Sequence, residues 1–147
     1  MVTQEGTVGA SSFHGINHEP INAFIDNALP WASRSNQIPA LVWKRFQRPV
    51  KVAKVGIYNR LSCCPIRCGD CFKQSPRAFQ VIASSDCSDW TTLLIVENAD
   101  FTKPNQLKTW LIPEERRSSF ACVGLKVFST IGSHWVGIRL IQFYEAP

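Results

Sequence analysis

Short runs of alternating apolar and polar residues recur along this chain, and they restrict its fold more than any other feature. In residues 78–84, the side chains of Phe79, Val81 and Ala83 share one face, which is the two-residue period of a strand buried on one side. Comparable runs occupy residues 40–46, 54–58, 93–96, 107–111, 123–127 and 136–141. Turn residues separate the runs, and only residues 20–27 suit a short helical turn. The pattern predicts an all-β, antiparallel sandwich.

The chain has 147 residues, of which 45% are hydrophobic and 18% are charged. This is the composition of a globular protein, and we assign residues 1–147 to a single β-sandwich domain. No apolar run approaches the roughly 20 residues that span a bilayer. Residues 1–15 are small and polar, unlike a signal peptide. We expect an extracellular protein from which the signal peptide has been removed.

The formal net charge is +5 at pH 7, and the basic residues are spread along the chain, most densely between residues 44 and 67. Such a surplus favours anionic partners, among them sulfated glycans, acidic lipid and nucleic acid. The alternative is a solvated basic surface. Charge alone does not choose between an anionic partner and a solvated surface. Of the anionic partners, we do not expect nucleic acid.

Four of the six cysteines lie within nine residues, at Cys63, Cys64, Cys68 and Cys71. In an oxidising compartment they predict disulfides, and in a reducing one they predict a metal site. A structural zinc ion needs four tetrahedral ligands, which the adjacent Cys63 and Cys64 do not easily supply together. We therefore favour a Cys63–Cys64 and a Cys68–Cys71 disulfide, while cross-pairing such as Cys63 with Cys71 stays open.

Nothing in the sequence is arranged for catalysis. His14, His18 and His134 lack metal-ligand spacing, and the adjacent Glu114 and Glu115 sit in a turn that begins with a proline. There is no glycine-rich phosphate loop. We expect a protein that binds its ligand without transforming it, and no enzyme.

Several landmarks occur in an order that resembles a known family. They are Ala10-Ser11-Ser12, residues 22–27, Trp31-Ala32-Ser33, residues 76–90 and the closing residues 136–143. This order resembles the discoidin, or coagulation-factor C-type, domains, and it covers nearly the whole chain. The resemblance implies a galactose-binding-domain-like fold, an eight-stranded antiparallel jelly-roll β-sandwich, with the ligand site on loops at one end.

Residues 59–67, Asn-Arg-Leu-Ser-Cys-Cys-Pro-Ile-Arg, are similar to the signature of the F-type, fucose-binding lectins of the same fold. The resemblance implies that Arg60 and Arg67 donate hydrogen bonds to sugar hydroxyls, for which a guanidinium is well suited. It also implies that a Cys63–Cys64 disulfide packs against the apolar face of the sugar. Ser62 stands where the signature has an aspartate, and Ser35 where it has a histidine.

The resemblance implies two further features. Members of the family often bind calcium where this chain has Asp26 and Asn27, although a turn-capping aspartate is the alternative. The F-type pattern also has a disulfide between neighbouring strands at the positions of Cys87 and Cys122. Such a disulfide closes a loop of about 35 residues and stabilises by roughly 3 to 4 kcal/mol.

The resulting hypothesis is a lectin or carbohydrate-binding module whose partners are glycans, with no cofactor except a possible calcium ion. Trp31 and Trp135 flank loops, where an indole ring either packs in the core or stacks on a ligand. The alternative is an adhesion module that meets acidic lipid or a partner protein through Arg34, Arg45 and Arg48. An intracellular zinc-holding domain is a third interpretation. Because several weak lectin sites in one assembly bind a glycan surface more tightly than one site does, a homo-oligomer is compatible with the first hypothesis.

Overall fold

The structure is a computed structural model that describes residues 6–63, 65–66 and 69–147. Cys64, Arg67 and Cys68 therefore lie outside the described residues, and so do the predictions made for them. The strands are β1 (Gly6–Ala10), β2 (Trp31–Ala32), β3 (Ala40–Asn59), β4 (Pro76–Ser84), β5 (Thr91–Val96), β6 (Leu107–Leu111), β7 (Ser119–Thr130) and β8 (Gly137–Glu145). One short helix, α1 (Asp70–Lys73), and the 3-10 turns Pro20–Ala23 and Glu114–Arg116 complete the described elements.

All strand pairs are antiparallel and form the two layers of a sandwich, so the all-β, eight-stranded prediction is confirmed. Sheet A has the order β1–β3–β7–β4–β5, and sheet B has the order β2–β8–β3–β6. Strand β3 belongs to both sheets. Its first half pairs with β1 and β7, and its second half pairs with β6 and β8.

The crossing of β3 from one sheet to the other depends on an irregularity in its middle. The register between β3 and β7 shifts between Arg45 and Val50. Pro49 lies inside this shift, where the missing N–H of proline does not break a ladder hydrogen bond. The two strands that the sequence predicts on either side of Pro49 are thus halves of one bent strand.

The core fills the space between the sheets with the alternating apolar residues of both. Phe79, Val81 and Ala83 of β4 are all buried, as the alternation predicts. Opposite them, sheet B contributes residues such as Val55, Ile57, Ile138 and Phe143.

Trp31 belongs to this core, which overturns the interpretation that its ring contacts a ligand. Its side chain is fully buried, and its indole Nε1–H donates to the carbonyl oxygen of Ser12 at 3.0 Å. The physical reason is the pairing of β2 with β8, which sets Trp31 opposite Ile138. A ring without exposed surface cannot stack on a sugar or enter a membrane.

The two described disulfides confirm one predicted pairing and overturn two others. Cys122 on β7 lies opposite Ser84 on β4, and the turn after β4 brings Cys87 into a disulfide with it, as predicted. Cys63 is joined to Cys71, so the favoured Cys63–Cys64 and Cys68–Cys71 pairings are wrong. The reason is α1, which carries Cys71 to a Cα–Cα distance of 5.7 Å from Cys63, within the range a disulfide spans.

Within the described ranges, no helix is both long and apolar enough to cross a membrane.

Candidate functional site

A cleft of about 730 Å³ opens at the end of the sandwich where β3 finishes and β8 begins. It is bordered by the loop before β2, the residue after β3, the region of α1 and the loop between β7 and β8. Its lining includes His14, His18, Arg60, Lys73, Gln74, Trp135 and the Cys63–Cys71 disulfide. The cleft therefore combines donors, acceptors, charges and an aromatic ring in one place.

Backbone hydrogen bonds hold α1 against the loop between β7 and β8. The Gly132 N–H donates to the carbonyl oxygen of Lys73 and the Gly137 N–H to that of Gln74, both at 3.0 Å. The loop before β2 is tied in similarly, since the His14 N–H donates to the carbonyl oxygen of Ala32 at 2.9 Å. Main-chain hydrogen bonds, in addition to side-chain packing, thus hold segments that are far apart in sequence together at the cleft.

Asn59, the last residue of β3, anchors the base of the site. Its fully buried amide donates from Nδ2 to Ser75 Oγ at 3.0 Å and to the Lys103 carbonyl oxygen at 2.9 Å. Its Oδ1 accepts the backbone N–H of Gln106 at 2.6 Å. One side chain therefore joins the end of β3 to Ser75, just before β4, and to the loop before β6, and Arg60 is the next residue in the chain.

Arg60 crosses the cleft towards α1. Its Nη1 donates to Gln74 Oε1 at 2.8 Å, so the amide holds the guanidinium in one direction. The pair passes over Gly137, where a Cβ would lie 2.5 Å from Arg60 Cδ and would overlap Gln74 Oε1. Glycine at this position is needed because it leaves room for both side chains.

Two histidines and Trp135 form the aromatic side of the cleft. The His14 ring lies 4.0 Å from the Trp135 ring and 5.4 Å from the His18 ring, centroid to centroid. His18 donates its Nδ1–H to the Ile16 carbonyl oxygen at 3.3 Å, which leaves Nε2 as the acceptor of the neutral ring. Burial lowers the pKa of His18 below its usual 6.5, and the nearby charges of Arg60 and His14 lower it further, although the bond to Ile16 opposes them.

The side chains at the predicted calcium position make hydrogen bonds to other groups of the protein. Asp26 Oδ1 accepts a hydrogen bond from Arg139 Nη2 at 2.8 Å, and Asn27 Oδ1 accepts one from the Leu29 N–H at 2.9 Å. Calcium needs six or more oxygen ligands, and a guanidinium beside the carboxylate repels a cation. In the part of the chain that the structure describes, no group of three or more acidic, histidine or cysteine side chains is placed to hold a metal. These residues do not fit calcium, and we derive no function through it.

The cysteine loop also fits zinc poorly. Cys63 and Cys71 are bonded to each other, so neither offers the thiolate that zinc requires.

Of the residues predicted for the sugar site, the structure brings Arg60 and Cys63 into the cleft. Ser62 and Ser35 are exposed and are not part of its described lining, and Arg67 and Cys64 lie outside the described residues. Trp135 lines the cleft, so of the two loop tryptophans it is the one available to a ligand.

Sequence reasoning missed His14, His18, Lys73 and Gln74. The spacing of the two histidines carries no signal of a metal site, a catalytic triad or a sugar site. Lys73 and Gln74 lie two and three residues after Cys71, so the correct disulfide pairing would have pointed to them.

No protein-family model matches the chain, and no curated protein matches its sequence. Solved structures share its fold. One is CBM32-3 from a family 31 glycoside hydrolase of Clostridium perfringens, with a TM-score of 0.78 and 12% identity over 97% of this chain and 90% of that one. Another is the family 32 module of C. perfringens NanJ in complex with galactose, with a TM-score of 0.74 and 16% identity over 95% of this chain and 93% of that one.

A third is chitosan-binding module 2, in complex with chitotriose, from a chitosanase/glucanase of Paenibacillus sp. IK-5. Its TM-score is 0.74, with 14% identity over 96% of this chain and 97% of that one. At such low identities these similarities establish the fold, and they confirm the predicted discoidin-like, galactose-binding-type sandwich.

Proposed function

We propose that this chain is a non-catalytic carbohydrate-binding module whose glycan site is the cleft around Arg60. The observation that carries the proposal is the convergence of Arg60, Gln74 and His18 beside the ring of Trp135 in one cleft at the end of the sandwich. The volume of that cleft falls within the roughly 300–1,000 Å³ of small-molecule sites.

The chemistry of these groups suits a sugar ring. A guanidinium offers planar N–H donors to neighbouring hydroxyls, and the Gln74 amide supplies both a donor and an acceptor. The neutral His18 ring adds an acceptor at Nε2. Trp135 and the Cys63–Cys71 disulfide are the apolar surfaces against which the C–H face of a pyranose can pack.

Two further observations support the proposal. Modules of the same fold were solved with galactose and with chitotriose bound. The two disulfides are of the kind that persists in oxidising, extracellular compartments, where glycans are displayed. We therefore place the protein outside the cell.

The test is a glycan array probed with calcium and again with chelator, followed by titration of the best neutral or charged hit. We expect binding that survives the chelator and that falls at least tenfold in Arg60→Ala and in Trp135→Ala. The matched control is Arg116→Ala, because Arg116 is exposed and follows the end of β6 that pairs with Lys54, away from the cleft. Unchanged binding in both cleft variants would show that the site lies elsewhere.

A second candidate, binding to a membrane surface, rests on a separate observation. The segment from residue 13 to residue 29 carries several exposed apolar side chains, and Ile16 is the most exposed of them. Arg34 and Arg45 are also exposed, whereas Arg48 is paired with Glu145. Sedimentation with phosphatidylserine vesicles at rising salt tests this candidate: we expect binding that weakens steeply with salt, and a flat response or no binding removes it.

A further inference from the structure

The cleft of the proposed glycan site carries a surplus of positive charge. Among its described lining residues, Arg60 and Lys73 are cationic and Asp70 is anionic, which gives a formal charge of +1 while His14 and His18 are neutral. Protonation of the His18 imidazole raises this charge to +2. The electrostatic character of the site thus depends on pH over the range in which histidine titrates.

The two histidines are close enough to act on one bound group. Their rings lie 5.4 Å apart, and both line the cleft that Arg60 enters. The charged groups that face them are Arg60 from the end of β3 and Asp70 and Lys73 from α1, and the β7–β8 loop contributes the neutral ring of Trp135. Outside the cleft, Glu19 and His134 are exposed chain neighbours of His18 and Trp135.

We infer, on the basis of the proposed glycan function, that the cleft selects anionic glycans, sugars bearing a carboxylate or a sulfate, and binds them more tightly in acid than at neutral pH. The acidic group of the ligand is received by Arg60 and Lys73 at neutral pH. On acidification His18 adds its charge to the same site.

The physical reason is that burial and the nearby charges of Arg60 and His14 oppose a positive charge on His18 in the empty cleft. They lower the pKa of His18, so its protonated ring is disfavoured without a counterion. An anion placed among these groups offsets the repulsion, and by linkage its binding is stronger where His18 can take up a proton. A neutral sugar provides no such counterion, so its affinity does not rise on acidification.

The experiment compares glycans in matched pairs that share a backbone and differ in charge. Trigalacturonate and its methyl ester form the carboxylate pair, and chondroitin oligosaccharides with and without sulfate report on sulfate. Affinities are measured at pH 7.5 and pH 5.5 at constant ionic strength. We expect the acidic member to be preferred, with the preference growing about threefold at pH 5.5, as expected for one added charge near an anion in a hydrated cleft.

Variants identify the groups responsible. The double variant His14→Gln, His18→Gln should still bind but lose the growth of the preference with acidity, and Lys73→Gln should lower the preference at both pH values. His134→Gln, which changes an exposed histidine outside the described lining, should behave like the unchanged protein. Thermal unfolding of each variant confirms that the fold is retained.

The inference is overturned if the charged and neutral members bind equally at both pH values, or if the double histidine variant keeps the pH dependence. Binding of neutral glycans through Arg60, without preference for the acidic partner, would leave the proposed function standing and refute this inference alone. No binding to any glycan on the array would refute both.

Discussion

Removal of the Asn59 amide tests whether this one side chain holds the base of the cleft together. The amide makes three side-chain hydrogen bonds, to Ser75, Lys103 and Gln106, from a fully buried position. A buried hydrogen bond contributes on the order of 1 kcal/mol net, and a partner left unsatisfied costs about 1 to 3 kcal/mol. Because water can reach the part-buried Lys103 and Gln106 groups, we expect Asn59→Ala to lower the free energy of unfolding by roughly 2 to 4 kcal/mol.

The assay is urea unfolding followed by tryptophan fluorescence, with the slope on urea checked for constancy. The matched control is Asn98→Ala, which removes one exposed hydrogen bond, from the Asp100 N–H to Asn98 Oδ1 at 3.1 Å. We expect that control to lose less than about 1 kcal/mol. Equal losses in the two variants would refute the anchoring role of Asn59.

Three other predictions concern separate parts of the molecule. Gly137→Ala should weaken glycan binding, measured by titration, about tenfold or more with little change in the free energy of unfolding, because its Cβ displaces the flexible Arg60 and Gln74 side chains. The control in the same titration is Gly132→Ala, whose Cβ would be no closer than 3.8 Å to Lys73. Replacing both Cys87 and Cys122 by serine should cost about 3 to 4 kcal/mol in urea unfolding, through the loop entropy regained by the unfolded chain, and a loss below 1 kcal/mol would contradict this. Hydrogen bonds from the Asp89 N–H, the Ser84 hydroxyl and the Ser88 N–H lower the pKa of Asp86 from 3.8 to about 2. The carboxylate therefore stabilises the fold above pH 4 and loses that contribution as the pH falls from 4 to 2. The difference in unfolding free energy between Asp86→Asn and the unchanged protein should shrink over that range and stay constant above pH 4.

The sequence alone was sufficient for the fold class because strand periodicity is local. Side chains that alternate along an extended backbone must point to opposite faces, whatever lies beyond them, so the buried face of β4 was predictable from its own residues. The chain order of the landmarks then indicated the particular sandwich. Arg60 and Cys63 were likewise found from a local motif.

Tertiary structure decided everything that depends on which segments meet. Trp31 lies in a strand of two residues, and only its pairing with β8 buries it. Cysteine spacing permitted several pairings, and the position of α1 selected Cys71 for Cys63.

The cleft shows most clearly the difference between what local sequence predicts and what long-range pairing decides. His14, Arg60 and Trp135 are far apart in the sequence, and no periodicity links them. They meet because the ends of β2 and β3 lie on either side of the start of β8 in one sheet, and His14 is hydrogen-bonded to Ala32 at the end of β2. Local physics sets the faces of the strands, whereas long-range pairing sets the site, because a contact between distant segments is specified by the whole core rather than by any one stretch of chain.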